Sequence, residues 1–99
     1  MDKRRKPVDT ELLRLRRNEL YAAIDRGEIP LREAVRRMRS LSGLTQLEFA
    51  EHRGVSVKVI KEIERGVANP TVNTLNQIGS IFGLEVTYVR RGKLINKPD

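Results

Sequence analysis

Apolar residues recur at helical spacing in five separate stretches of this chain and at strand spacing in one. In the first stretch Leu13, Leu20 and Ile24 fall on one stripe, joined by Leu12 and Ala23, while Arg14, Arg16, Arg17 and Glu19 take much of the remaining surface. Asp9 or Thr10 can cap this helix, which runs to about Arg26, and Gly27 ends it. Pro30 then stands where proline is tolerated, at the first turn of a second helix over roughly 31–41, with Leu31, Ala34, Val35 and Met38 inward. After the Ser42-Gly43 break, Thr45 caps a third helix of about 46–52, and Glu48 lies three residues beyond it, the spacing of a capping box. Gly54-Val55 makes a turn, Ser56 caps a fourth helix running to about Arg65, and Val59, Ile60 and Ile63 are its buried face. Thr71 caps a fifth helix of about 72–82, with Leu75, Ile78 and Phe82 inward and Gly83 as its stop.

Past Gly83 the period changes. Leu84, Val86, Tyr88 and Arg90 alternate with Glu85, Thr87, Val89 and Arg91, and β-branched residues are enriched, so 84–91 reads as the one β-strand of the chain. A lone strand leaves backbone donors and acceptors unpaired, and the simplest partner is the same segment of a second copy, with Leu84, Val86, Tyr88 and Val89 as the dimer strand. The sequence thus divides into a basic disordered arm at 1–8, an N-terminal extra helix at 9–27, a helical domain at 28–83, a dimerisation strand at 84–91 and a tail at 92–99.

Composition narrows the functions open to such a fold. The chain has 99 residues, enough for one small domain, and only four aromatic side chains, so the core is largely aliphatic. It has no cysteine, which excludes disulfides and thiolate metal sites, and its single histidine, His52, has no neighbouring ligand and reads as an exposed helix-end residue. No apolar run approaches the roughly 18–20 residues that span a bilayer, and the basic start MDKRRKP lacks the apolar segment of a secretory signal, so no membrane role and a cytoplasmic location are expected. Neither a cofactor nor an enzymatic activity is expected, because no carboxylate pair or nucleophile–histidine set stands at a recognisable spacing.

Net charge is +7, and it is concentrated at the ends. Residues 1–40 carry 12 Lys/Arg against 7 Asp/Glu and 84–99 carry 4 against 2, whereas 41–83 carry 4 of each. Basic flanks of this kind attract a phosphate backbone irrespective of its sequence. The alternative is that they are solvated helix faces. Between them, residues 44–66 read as two short helices joined by a glycine-containing turn, a layout that presents one helix to the DNA major groove.

Several residues of this region, taken in order, resemble one family. Gly43-Leu44-Thr45-Gln46 opens the pattern, Phe49-Ala50 follows, Gly54-Val55-Ser56 forms the turn, and Ile60 and Ile63-Glu64-Arg65-Gly66 complete the fourth helix. Asn69-Pro70-Thr71, Leu75, Ile78 and Gly83-Leu84 carry it onward. Residues 31–83 are similar in this respect to the Cro/repressor-type (Xre-like) helix-turn-helix family. The resemblance implies an all-α, lambda-repressor-like five-helix domain, here with an added N-terminal helix and the C-terminal strand. It also implies that Ser56, Val57, Lys58, Lys61 and Glu62 occupy base-reading positions. Lys58 can donate to guanine, Glu62 can accept from cytosine, and Val57 can meet a thymine methyl. Generic phosphate contact is the alternative for Lys58 and Lys61, and a plain surface role is the alternative for Glu62.

Phosphate contacts are expected from Thr45, Gln46, Asn69, Thr71, Asn73 and Thr74, at or near helix N-termini, although Thr71 can be a cap alone. Arg39 and Glu64 match family positions that form a structural ion pair. Arg53 departs from the pattern, because it stands where the family has an aliphatic core residue. Either its stem packs with the guanidinium reaching solvent, or the local packing differs. The function implied is a sequence-specific transcriptional regulator, a repressor that binds double-stranded DNA as a homodimer at a palindromic operator. The strand and basic tail (Arg90, Arg91, Lys93) also resemble HipB-type antitoxins, so the competing reading is an antitoxin that binds a protein toxin and autoregulates its operon.

Overall fold

The computed structural model describes residues 9–90, and the expected arm at 1–8, the tail at 92–99 and Arg91 lie outside them. Five α-helices follow one another: α1 (Thr10–Asp25), α2 (Leu31–Ser42), α3 (Gln46–Arg53), α4 (Val57–Glu64) and α5 (Val72–Gly79), with a 3-10 turn at Ser80–Phe82. Side-chain caps set four of the five starts. Asp9 accepts from Leu12 N–H, Ser56 from Val59 N–H and Thr71 from Thr74 N–H. At α3 Thr45 and Glu48 close a reciprocal capping box. The sequence reading of one helix over 72–82 is corrected at its end. The last turn tightens into 3-10 geometry after Gly79, as helix ends do when i+3 bonds take up otherwise unpaired carbonyls.

The core is a single cluster. Leu20 of α1, Val35 and Met38 of α2, Phe49 and Ala50 of α3, Ile60 and Ile63 of α4 and Ile78 of α5 meet there. Phe49, Leu20, Ile60, Ile78 and Val35 are the largest of the fully buried side chains, and burial of each contributes about 1.5–3 kcal/mol. Ala50 is 1% exposed between α3 and α4, where a larger side chain would force the helices apart. The N-terminal helix packs back on the domain through Leu20 and Ala23, and the Tyr21 hydroxyl donates to the Phe82 carbonyl at 2.8 Å. Its first half projects, leaving Leu12 and Leu15 exposed. Leu31, expected inward, is 48% exposed because it begins α2 at the rim of the cluster.

The expected C-terminal β-strand is not formed within the described chain. Residues 84–90 have no second strand to pair with among the described residues, and a strand is defined by its ladder. Instead the segment leaves along α5: Leu84 N–H donates to the Gly79 carbonyl at 3.0 Å and Val86 N–H to Asn76 Oδ1 at 2.8 Å. Gly79 makes this approach possible. A Cβ there would stand 2.9 Å from the Leu84 carbonyl oxygen and 3.1 Å from Leu84 Cβ. Gly79→Ala should therefore destabilise the fold in a thermal melt, although alanine in an open helix position gains about 1 kcal/mol over glycine. An unchanged or raised Tm would show that the segment does not hold this position.

Candidate nucleic-acid interface

α3 and α4 are joined at Gly54, whose φ of +74° is the left-handed conformation that a residue with Cβ resists. Val55 N–H returns to the Ala50 carbonyl at 3.0 Å, which closes the end of α3. The turn is also held from outside, since Gln77 of α5 donates its amide to the Arg53 carbonyl at 3.2 Å. No sequence signal marked Gln77; an exposed polar residue opposite a turn has no periodicity of its own.

α4 is fixed along its inner face. Ile60 and Ile63 enter the core, and Val57 and Val59 pack against it half-buried. At the C-terminal end, Arg39 of α2 grips the buried Glu64 carboxylate with two bonds, Nε to Oε2 at 2.7 Å and Nη2 to Oε1 at 2.9 Å. Gln46 Nε2 adds a third donor to Oε1 at 3.1 Å, and Arg36 Nη2 donates to the Glu64 backbone carbonyl at 2.5 Å. Burial alone would raise the Glu64 pKa. The bonds from Arg39 and Gln46 and the charges of Arg39 and Arg36 outweigh it and hold the carboxyl below its ordinary range. Three arginine and glutamine side chains from two other helices thus set the position of α4.

What α4 leaves outward is one face along its length, with its N-cap Ser56. Ser56, Lys58 and Lys61 are exposed, Glu62 is half-exposed, and neither lysine has an ion-pair partner among the described residues. Lys58, Lys61 and Glu62 lie at i, i+3 and i+4, hence on one face. The first turn of α4 has no acidic residue, so apart from the Ser56 cap on the Val59 N–H the positive end of the helix dipole faces no side-chain carboxylate there. The first turn of α5 likewise has none.

The expected phosphate contacts are placed less uniformly. Thr45 and Thr71 both cap their helices through the hydroxyl oxygen, and Thr71 also donates to Thr74 Oγ1. Asn69 is exposed in the loop after α4, and Asn73 donates to Gln77 Oε1 at 3.2 Å. Gln46 points its amide at Glu64, which the sequence did not indicate.

Of the two readings of Arg53, the one with a solvent-reaching guanidinium is overturned. The residue is 6% exposed, its Nε donates to the Ile78 carbonyl at 3.1 Å, and its guanidinium lies 4.4 Å from the centre of the Phe49 ring. Nη1 donates to Nδ1 of the exposed His52, while Nη2 is buried with no hydrogen-bond partner among the described residues. Burial lowers the Arg53 pKa from the ordinary arginine value. Such a cation adds little net stability, so Arg53→Met should leave the melting temperature within a few degrees of the parent or raise it. A drop as large as that from breaking the Arg39–Glu64 pair would contradict this.

Among the described residues no three His, Asp or Glu side chains gather to hold a metal ion, and no helix is long and apolar enough to cross a membrane. A profile of the helix-turn-helix family matches residues 35–89, from the core face of α2 through the segment after α5. An uncharacterised HTH-type transcriptional regulator of Mycobacterium tuberculosis, found in strains CDC 1551 and H37Rv, is 34% identical over 62 residues, covering 61% of this chain and 44% of the relative. HTH-type transcriptional regulator DdrOP3 of Deinococcus deserti is 34% identical over 60 residues, covering 61% of this chain and 46% of the relative. The matched region is thus less than half the length of these relatives. No solved structure gives a significant match.

Proposed function

The chain belongs to the helix-turn-helix family of the Cro/Xre type, and on that premise we propose that it is a DNA-binding transcriptional regulator, a repressor acting as a homodimer on a two-fold symmetric operator. One observation carries the reading. α4 is clamped at its C-terminal end by Arg39, Gln46 and Arg36, while Ser56 at its N-cap and the outward face that carries Lys58, Lys61 and Glu62 are left to solvent, with no acidic residue in its first turn. A rigid helix with an outward N-terminus and unpaired cations suits insertion into the major groove, where side chains meet base edges. Thr45, Asn69, Thr71, Asn73 and Thr74 flank it at the starts of α3 and α5, where neutral donors and helix N–H groups hold phosphate. Gln46 joins them through the backbone at the start of α3, its side-chain amide being turned to Glu64.

The homodimer part of the proposal rests on residues 84–90. Leu84 and Val86 turn their N–H groups to α5, and the alternating N–H groups of Glu85, Thr87 and Val89 form the opposite edge of the segment. Antiparallel pairing of two such edges would join two copies, and reading a two-fold symmetric operator then requires their α4 helices to enter successive major grooves about one helical turn or ~34 Å apart. Selection of bound DNA from a random pool, together with the molar mass in solution, tests both parts. The expected result is a half-site repeated with two-fold symmetry and a mass of two chains. Recovery of no consensus would count against sequence-specific regulation.

A further inference from the structure

The two ends of α4 are held by different means. Its C-terminal end is fixed by the directional bonds of Arg39, Gln46 and Arg36 at Glu64. At its start, Val57 and Val59 pack half-buried against the core, and such apolar packing is non-directional. Among the described residues, the side-chain bond that reaches the turn backbone ahead of α4 comes from Gln77 of α5. Its Nε2 donates to the Arg53 carbonyl at 3.2 Å, with the Gly54 carbonyl oxygen at 3.5 Å. A Cβ on Gly54 would stand 3.4 Å from the same nitrogen, in ordinary contact, so the amide lies directly against the turn. The other end of that amide is engaged as well, since Oε1 accepts from Asn73 Nδ2 at 3.2 Å. Carbonyl oxygens on one side and an N–H donor on the other fix which way the Gln77 amide faces.

We propose that Gln77 is a positioning residue for base reading: it sets where the start of α4 sits by holding the turn carbonyls, and Asn73 orients its amide. This rests on the DNA-binding reading above and adds a side chain that controls its specificity from outside the reading helix. The lever is long. From Glu64 back to Ser56 the helix rises about 12 Å, so a tilt of ~5° about the clamped end carries Ser56 and Val57 about 1 Å. Hydrogen bonds tolerate only about 0.5 Å in length, so a shift of that size separates reading from not reading. Short side chains such as Ser56 and Val57 cannot make up the difference, whereas long Lys and Arg side chains on phosphate can. Asn73 extends the connection toward DNA. It is exposed in the first turn of α5, and its Nδ2 carries a second hydrogen for a phosphate oxygen. A phosphate held there steadies Asn73, and through Gln77 the turn, so that grip at α5 and reading at α4 are coupled.

Competition binding of the full chain on its selected operator and on a scrambled duplex, with a thermal melt of each variant, tests this. Gln77→Met has similar length and helix propensity but no amide. It should lower the ratio of operator to scrambled affinity about threefold to tenfold, the effect of one hydrogen bond, with scrambled-duplex affinity and Tm close to the parent's. Gln77→Glu keeps an acceptor for Asn73 but turns a carboxylate on the turn carbonyls, so it should lower the ratio at least as far. Its negative charge weakens both duplexes alike and cancels in the ratio. Asn73→Ala should weaken both duplexes and lower the ratio, and in the Gln77→Met background it should lower the ratio no further. A parental ratio in Gln77→Met or Gln77→Glu would overturn the positioning role and leave the DNA-binding reading standing. An equal loss on both duplexes from Gln77→Met would do the same, because it marks a residue that serves only the fold or the phosphate grip. Independent losses of ratio from Asn73→Ala and Gln77→Met would overturn the coupling. A parent chain with no preference between the duplexes would overturn both readings.

Discussion

Replacing Arg39 with methionine should remove about 3–5 kcal/mol of stability, the usual cost of leaving one charge of a buried pair without its partner. The carboxylate left behind is the one that suffers: the Glu64 side chain is 6% exposed and would keep only Gln46 as a side-chain donor. Arg39 itself is 25% exposed, so the lower end of that range applies. Domains of this size lose about 4–8 °C of Tm per kcal/mol, which makes the fall roughly 15 °C or more. Glu64→Leu combined with Arg39→Met should recover most of it, because an apolar pair of similar volume carries no desolvation cost. Calorimetry on the single and double variants checks both expectations. A single variant within a few degrees of the parent would mean that α4 is not held by this pair.

The same carboxylate gives the pair a pH signature. Because its folded pKa is lowered, its contribution is complete above the ordinary carboxylate range and is lost as pH falls through the folded value. Some of the acid unfolding of the chain therefore belongs to Glu64. Glu64→Gln should cost stability near neutrality and flatten the acid limb of the Tm–pH curve below the ordinary carboxylate range.

Lys58→Ala should relax base preference at one position of the half-site by about 1–3 kcal/mol while leaving the remaining positions intact. Removal of Arg16 and Arg17 from α1 is expected to act differently. Both are exposed, without an ion-pair partner among the described residues, and their loss should weaken all DNA sequences alike. The salt dependence should then fall by about one unit of slope for each phosphate that is no longer neutralised. Competition binding at several salt concentrations separates the two kinds of loss. A uniform loss from Lys58→Ala would return that residue to the phosphate-contact class.

The five helices were legible in the chain because their ends carry strong local chemistry. Thr45 with Glu48, Ser56 and Thr71 each cap the helix they were expected to cap, Asp9 is the one of the two candidates, Asp9 and Thr10, that caps α1, and these bonds depend only on residues three apart. The aliphatic stripes of α2, α4 and α5 likewise supply Val35, Met38, Ile60, Ile63 and Ile78 to the core. Longer-range relations were harder to read. Arg53 looks polar in any periodic pattern, yet it is buried because a carbonyl at the end of α5 and the Phe49 ring receive its guanidinium. The Gln77 bond to the turn and the Tyr21 bond to Phe82 join residues 24 and 61 positions apart, and no window along the sequence contains either pair.

The segment after Gly83 shows the opposite limit. Its alternation and β-branched composition describe a chain fit for pairing, but pairing needs a second strand, and the described residues of one chain hold none. The pattern alone therefore predicted a strand that the described residues do not form.

The outward turn of α4 is the centre of the proposed activity, and replacing Ser56, Val57 and Lys58 together with alanine tests it most directly. Binding of the parent and the variant would be compared on the selected operator and on a scrambled duplex, each across a salt series. The parent should prefer its operator, and the variant should bind both duplexes nearly equally, with the salt slope little changed. A variant that keeps the parent's full preference and the same salt slope would show that DNA is read by another region of the chain.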